Sequence, residues 1–230
     1  MLTEGLVIVT SILLAFAIDA WWDRRGERGR ELEALAALSE DFAAADSLLA
    51  VRVSAIDSAA VAARAIIDLV GPDADLDGLD SLAVLIPRII RRPIYEPPMG
   101  TLEALLGSGE LRLISDIELR AELASFPSIV ADMRETQDFG TNVVFGMLLP
   151  YLNARVPMLE YGLMARGDSD FDGDSSVLMR SLEFENLAQN RLMGTRFSLL
   201  AADEMAQRIG SIRELLRTEL DRFSPSGVVR

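Results

Sequence analysis

The strongest constraint on the fold is an apolar run at residues 2–22, which ends directly against a cluster of arginines. As a helix this run would be about 31 Å long, close to the ~30 Å hydrocarbon thickness of a membrane. Its only acidic residues, Glu4 and Asp19, would lie near the two membrane interfaces. The sequence therefore predicts a transmembrane anchor over residues 1–22 and a helical extramembrane domain over residues 23–230.

The end of the apolar run has the composition of a membrane interface. Trp21 and Trp22 would form an aromatic belt at the level of the lipid headgroups. No arginine precedes the run, whereas four follow it within the next eight residues, so the positive-inside rule places the body in the cytoplasm. These four are Arg24, Arg25, Arg28 and Arg30.

Two other interpretations of the run remain open at this stage. Residues 15–17, Ala-Phe-Ala, imitate a signal-peptidase site, although a cleaved signal would carry a basic segment before its apolar part. The uncharged part, residues 5–18, is also short for a span and has the length of a buried helix in a soluble protein. The anchor is the interpretation that also accounts for the tryptophans and the arginines.

The composition excludes several classes of chemistry. The chain has no cysteine and no histidine, and all 22 of its basic residues are arginine. Histidine-based catalysis, thiolate or iron–sulfur chemistry and lysine Schiff bases are therefore ruled out. We expect no cofactor. The net charge of −14 argues against a nucleic-acid partner, because phosphate neutralisation needs a basic surface.

The first long segment of the body, residues 31–70, predicts a single helix of about 60 Å, because it contains neither glycine nor proline. Apolar or small residues recur there in steps of three and four, with one extra residue between Leu49 and Val53. This pattern predicts a coiled-coil-like seam interrupted by a stutter. The seam comprises Leu35, Leu38, Phe42, Ala45, Leu49, Val53, Ile56, Ala60, Ala63, Ile67 and Val70.

The remaining segments predict shorter helices and one more long helix. Gly71 should end the first helix, and a short apolar segment at 79–90 should be interrupted at Pro87. The prolines of residues 91–98 predict an irregular stretch, whose Arg91, Arg92, Tyr95 and Glu96 we consider a candidate partner-binding surface.

Helix caps can be predicted for the second half of the chain. Thr101 is the expected N-cap of a helix over 102–106, and Ser115 with Glu118 fits a capping box. Pro127 and Pro150 should bracket a further helix.

A final long helix is predicted over residues 181–223, with an apolar face made by Leu187, Phe197, Leu200, Ile209, Ile212, Leu216, Leu220 and Phe223. The fold class is thus all-α: an N-terminal transmembrane helix followed by an irregular antiparallel helical bundle with two long helices.

Three motifs in order along the chain support a family resemblance: Ala-Trp-Trp-Asp-Arg-Arg at 20–25, Gly-Thr-Leu-Glu-Ala-Leu-Leu at 100–106 with Gly-Glu-Leu-Arg-Leu-Ile at 109–114, and Glu-Phe-Glu-Asn-Leu at 183–187. With these motifs the chain resembles a group of uncharacterised single-pass bacterial membrane proteins. The resemblance implies one N-terminal span and a helical body, and hence a bacterial inner-membrane location. It implies no catalytic residue.

Two acidic loops carry the only recognisable ligand pattern. Residues 73–78 and 168–173 both match the opening Asp-x-Asp-x-Asp-Gly of a calcium loop, in which alternate carboxylates converge on the ion. Neither loop has the bidentate Glu expected at its twelfth position, which is Val84 in the first and Met179 in the second. A solvated acidic turn is the other interpretation. The candidate calcium ligands are Asp168, Asp170, Asp172 and Asp174.

These observations predict a non-catalytic accessory subunit that braces a multisubunit bacterial membrane complex, photosynthetic or respiratory, with lipid and the other subunits as partners. One alternative is a calcium-responsive, membrane-anchored binding module. Another is a carboxylate-dependent hydrolase, for which no particular pair of the 36 acidic residues can be singled out.

Overall fold

The protein is described here from a computed structural model, which defines the backbone of residues 2–162, 167–171 and 173–223 and the side chains from residue 13 onward. Within these residues every element of regular secondary structure is a helix, so the predicted all-α class and helical bundle are confirmed. The α-helices are α1 (Leu2–Leu69), α2 (Leu79–Ile89), α3 (Gly100–Ser108), α4 (Ile117–Asn142), α5 (Leu149–Asn153), α6 (Ser176–Met179) and α7 (Leu182–Phe223).

The first helix continues without a break through the predicted boundary at residue 22 and ends at Leu69, just before Gly71. Its residues 13–30 are exposed on all sides, apart from the half-buried Ala20. In the described part of the chain, no helix combines the length and the apolar character needed to cross a membrane. The transmembrane span over residues 1–22 therefore stays a prediction.

The buried face of α1 corrects the predicted stutter. The buried residues beyond Leu49 are not Val53, Ala60 and Ile67. They include Ile56, Ala59, Ala63, Ile66 and Val70. If the half-buried Arg52 is the inward residue after Leu49, the steps of three and four continue without an extra residue. The seam is thus an uninterrupted heptad pattern in which one inward position carries an arginine. Its residues are Leu35, Leu38, Phe42, Ala45, Leu49, Arg52, Ile56, Ala59, Ala63, Ile66 and Val70.

The chain divides into two compact units, and each long helix contributes a stretch to both. The first unit comprises Met1–Ala44, Pro98–Ser125 and Ile209–Arg230, and the second comprises Ala45–Pro97 and Phe126–Arg208. In the first unit the buried apolar side chains come from α1, α3, α4 and α7, with Leu38, Leu102, Leu119, Ile212 and Leu216 among them.

The second unit is built around one continuous core. Its members come from α1, α2, the segment around α5, α6 and α7, and they include Ile66, Ile86, Leu152, Leu178 and Phe184. These residues are fully buried, and the removal of their apolar surface from water stabilises this unit.

Prolines interrupt the helices less than predicted. Pro87 lies inside α2 and Pro127 lies inside α4, so neither residue ends a helix. Beyond α4 the backbone forms a π-helical turn at Val143–Leu148 before α5 begins. Pro150 stands in the first turn of α5, where the absence of an N–H group is tolerated.

Two predicted caps are wrong because other residues supply them. Thr101 does not cap α3; its N–H donates instead to Oδ2 of Asp41 on α1 at 3.2 Å. Asp116, not Ser115, accepts the N–H of Leu119 at 2.8 Å at the start of α4. The C-terminal end of α3 has the expected geometry, with Gly109 at φ 74°, a left-handed conformation that favours glycine.

The final helix is confirmed over Leu182–Phe223, but its predicted apolar face is only partly correct. Ile209, Ile212 and Leu216 are fully buried, whereas Phe197 and Leu200 are 48% and 66% exposed. The apolar surface of α7 therefore includes residues that the core does not use.

Candidate functional site

The second acidic loop does not assemble a metal site in the part of the chain that is described. Asp168, Asp170 and Asp174 are exposed, and Asp172 lies outside the described residues. Among those described, no three acidic side chains come together in a group that could hold a metal ion. The Asp174 carboxylate instead accepts the N–H of Ser176 at 2.9 Å. Hydrogen bonding to the Ser176 side chain, and secondarily to this N–H, lowers the pKa of the carboxylate. The calcium ligands stay a prediction.

Local geometry accounts for the glycine of this loop without a bound ion. A Cβ atom at Gly173 would overlap the ring of Pro157, with the Cγ atom only 2.5 Å away. The Gly173 backbone lies so close to the Pro157 ring that glycine is required here. The first acidic loop is likewise a local structure, since Asp75 accepts the N–H of Asp77 at 3.1 Å and starts the 3-10 helix Leu76–Gly78.

The irregular stretch that follows α2 is held by buried polar side chains from α4 and α7. Tyr95 is buried in it, so this member of the predicted surface belongs to the core instead, whereas Arg91, Arg92 and Glu96 are exposed. The Tyr95 hydroxyl donates to the carbonyl of Ala45 at 3.2 Å. Burial, and secondarily the nearby charge of Asp46, raises the pKa of this hydroxyl.

Arg191 holds the beginning of the same stretch. Its Nε donates to the carbonyl of Ile89 at 2.8 Å, and its Nη2 donates to the carbonyl of Arg91 at 2.6 Å. The residue is 4% exposed, and burial lowers the pKa of its guanidinium to about 10. A buried cation that bonds two main-chain carbonyls fixes the path of the chain. Sequence reasoning missed this residue, because no local signal marks an arginine on α7 as buried.

This fixed stretch meets the π-helical turn through a cation–π contact. The Arg92 guanidinium lies 5.6 Å from the centre of the Phe145 ring. Phe145 and Met147 are 54% and 41% exposed in that turn. Single π-helical turns within helices are frequent at functional sites, because they turn side chains away from the regular helical positions. Here the turn places two large apolar side chains in solvent.

A second exposed apolar surface lies where α4 and α7 approach each other. We call it the α4–α7 patch, and it consists of Phe139, Met193, Phe197 and Leu200, which are 39% to 66% exposed. The rings of Phe139 and Phe197 are in edge-to-face contact, with centres 6.3 Å apart. Met193, Phe197 and Leu200 share one face of α7, since they are four and three residues apart.

Glycines explain why these rings point outward. A Cβ atom at Gly194 would be 3.4 Å from the Phe139 ring and 3.7 Å from the Cα of Gly140. The two helices therefore pack closely at this pair of glycines, and the flanking aromatic rings cover the contact from the solvent side. Exposed apolar patches of this kind are characteristic of protein interaction sites. Sequence reasoning missed this surface, because only the fold shows that Gly140 and Gly194 lie next to each other.

Comparisons of the chain with protein families, with curated proteins and with solved structures find no match. The resemblance to uncharacterised single-pass bacterial membrane proteins therefore stays a prediction. What can be said of function rests on the residues and their geometry.

Proposed function

We propose that this protein is a non-catalytic accessory subunit that is attached to a bacterial inner membrane by its N-terminal helix and braces a multisubunit membrane complex. More specifically, we propose that this complex is photosynthetic or respiratory. The body would lie on the cytoplasmic side, because the arginines follow the apolar run.

The observation that carries the proposal is the exposure of apolar side chains around the whole circumference of the first part of α1. Leu13, Leu14, Phe16 and Ile18 are 48% to 67% exposed, and at about 100° per residue they lie at roughly 0°, 100°, 300° and 140° around the helix axis. A helix that is apolar on all sides is stable only when lipid or protein surrounds it. Trp21 and Trp22 at its end are also exposed and match the aromatic composition of an interface.

The α4–α7 patch supports the second half of the proposal, which is contact with other subunits. It combines exposed aromatic and aliphatic side chains on two closely packed helices, and such rigid apolar surfaces are favourable for protein association. The absence of histidine, cysteine and lysine from the sequence leaves no common cofactor ligand or nucleophile for an electron-transfer or pigment-binding role. A structural role needs none of these residues.

The test is isolation of the full-length protein from native membranes in mild detergent, followed by identification of the proteins that co-purify with it. In parallel, Leu200→Asp would place a charge in the α4–α7 patch. Leu182→Asp is the matched control, because Leu182 lies on the same helix and is 71% exposed but is outside the patch. We expect Leu200→Asp to lose the co-purifying subunits and Leu182→Asp to keep them.

Two results would contradict the proposal. Recovery of the full-length protein in the soluble fraction without detergent would refute membrane attachment. Purification of the wild-type protein from native membranes with no stoichiometric partner would refute the subunit role.

A further inference from the structure

A basic cleft in the first unit is the feature that a scaffold role alone does not explain. It has a volume of about 760 Å³ and lies between α1 and the segment around the 3-10 helix Glu110–Leu113. Four arginines, one tryptophan and two glutamates are among the residues that line it. They are Arg24, Arg25, Arg28, Arg112, Trp21, Glu27 and Glu31.

The heptad pattern of α1 shows how the arginines come to face this cleft. Continued from Leu35 towards the N-terminus in steps of four and three, the inward positions are Glu31, Arg28, Arg24 and Trp21. Glu31 is still buried, and its carboxylate accepts the N–H of Ser115 at 2.6 Å. Beyond it, Arg28 and Arg24 occupy inward positions but are exposed. The apolar seam thus ends, and two arginines take its place on the same side of the helix.

The charge of the cleft is opposite to that of the protein. The chain carries a net charge of −14, whereas four arginines and two glutamates line the cleft. Arg30, Arg217 and Arg222 form ion pairs in this unit, whereas no ion pair is described for the four cleft arginines. Cations without carboxylate partners repel one another, so an anion bound between them would stabilise this arrangement.

We propose that the cleft binds the phosphate of an anionic phospholipid headgroup. Guanidinium groups bind phosphate oxygens through paired, charge-assisted hydrogen bonds, and several can share one phosphate. The Arg25 guanidinium lies 5.7 Å from the centre of the Trp21 ring, which places a cation and an interfacial aromatic side chain at the same level of the helix.

The position of the cleft along α1 identifies lipid as the source of the phosphate. Ile18 is the last exposed large aliphatic residue before the tryptophans, and Arg25 follows it by seven residues, which is about 10 Å along a helix. A membrane that surrounds the apolar residues would therefore present its headgroups at the cleft. This inference rests on the membrane attachment in the proposed function.

The two tryptophans make this site directly observable, because Trp21 and Trp22 are the only ones in the chain. The full-length protein is reconstituted into phosphatidylcholine vesicles that contain an equal small fraction of brominated phosphatidylglycerol or brominated phosphatidylcholine. Bromine quenches tryptophan fluorescence at short range. We expect stronger quenching by the anionic lipid than by the neutral lipid.

The test variant is Arg24→Gln, Arg28→Gln and Arg112→Gln combined, and the control is Arg134→Gln with Arg180→Gln, two exposed arginines of the second unit. Each arginine near the headgroups contributes about fivefold to the affinity for anionic lipid. The triple variant, which keeps only Arg25 of the four cleft arginines, should therefore lose most of the preference for the anionic lipid, while the control should keep it. Circular dichroism verifies that all three proteins are equally helical.

The other outcomes separate the two proposals. Equal quenching of the wild-type protein by both lipids would refute the headgroup site and leave membrane attachment standing. No quenching by either lipid would refute membrane attachment and the site with it. If millimolar inorganic phosphate changes the tryptophan fluorescence saturably in neutral detergent and removes the lipid preference, the ligand is a soluble phosphate and not a lipid.

Discussion

The side-chain amide of Gln137 on α4 makes both main-chain hydrogen bonds of Tyr95. The Tyr95 N–H donates to Oε1 at 2.7 Å, and Nε2 donates to the Tyr95 carbonyl at 3.3 Å. Gln137 thus replaces the partner that a neighbouring backbone would supply in regular secondary structure. The irregular stretch at 91–98 is fixed at this point although it belongs to no helix.

Gln137→Leu is therefore expected to destabilise the protein strongly. The substitution conserves side-chain size but leaves a buried N–H and a buried carbonyl without a partner, at a cost of about 2–4 kcal/mol. Gln189→Leu is the matched control, since Gln189 is exposed on α7 and its replacement should change stability by less than about 0.5 kcal/mol. Urea unfolding of the two variants measures the difference. Equal stabilities would show that Gln137 does not hold the stretch.

Tyr95 also predicts how stability responds to alkaline pH. Its pKa is raised in the folded state, mainly by burial, whereas in the unfolded chain it is about 10. Its contribution to stability is therefore fully present below about pH 10 and is lost as the pH rises further, because the unfolded chain releases the proton first.

The variant Tyr95→Phe isolates this effect. At pH 7 it should be about 1 kcal/mol less stable than the wild type, since it loses the hydrogen bond to Ala45. Above pH 10 the difference should shrink and then reverse. The titration of Arg191 is common to both proteins and cancels. Denaturant unfolding of both proteins from pH 7 to pH 11 gives the result, and parallel curves across this range would refute the assignment.

Features that depend on the residues of one helix alone could be predicted from the sequence. Features that depend on contact with a second segment of the chain could not. The ends of α1 and α7 follow from glycine, proline and apolar periodicity. The cap of α3 could not be found, because Asp41 supplies it from a position 60 residues away from Thr101. Pro127 did not end a helix, since packing of α4 outweighs the cost of one missing hydrogen bond.

The exposed residues of the α4–α7 patch could not be predicted from the sequence for the same reason. Phe197 and Leu200 have the spacing of core residues, and only the fold shows that the close packing at Gly140 and Gly194 leaves them in solvent. The predicted stutter placed Val53 on the α1 seam after Leu49, at the position that Arg52 occupies in the fold. Hydrophobic patterns identify faces of helices, but they do not identify an arginine that faces inward.

Arg52 itself gives a further prediction. Because the residue occupies an inward position of the α1 seam, its Nε atom is buried, and this atom has no hydrogen-bond partner. Arg52→Met keeps the length of the side chain and removes this unsatisfied donor, so the free energy of unfolding should rise by about 1 kcal/mol. Leu49→Ala, at the preceding inward position, should instead lower it by about 2–5 kcal/mol. A loss of stability in Arg52→Met comparable to that of Leu49→Ala would show that the arginine is structurally required.

The need for glycine at position 173 of the second acidic loop can be tested by substitution. Gly173→Ala should cost about 1–3 kcal/mol, because the added Cβ overlaps the rigid ring of Pro157. Gly71→Ala is the control, since a Cβ there would contact nothing within 4 Å. Thermal unfolding of both variants in the presence of a calcium chelator measures the effect. If Gly173→Ala is as stable as Gly71→Ala under these conditions, the close approach does not determine the glycine.

Calcium titration decides whether the same loop is a solvated turn or a ligand-binding loop. If it is a turn, calorimetry of the full-length protein in neutral detergent should show no saturable heat up to millimolar calcium, the range of weak calcium modules. The double variant Asp170→Asn and Asp174→Asn should then give the same flat titration, and it should still co-purify with the membrane complex, because both carboxylates are exposed. Saturable heat in the wild-type protein that disappears in the double variant would instead establish the calcium-responsive module.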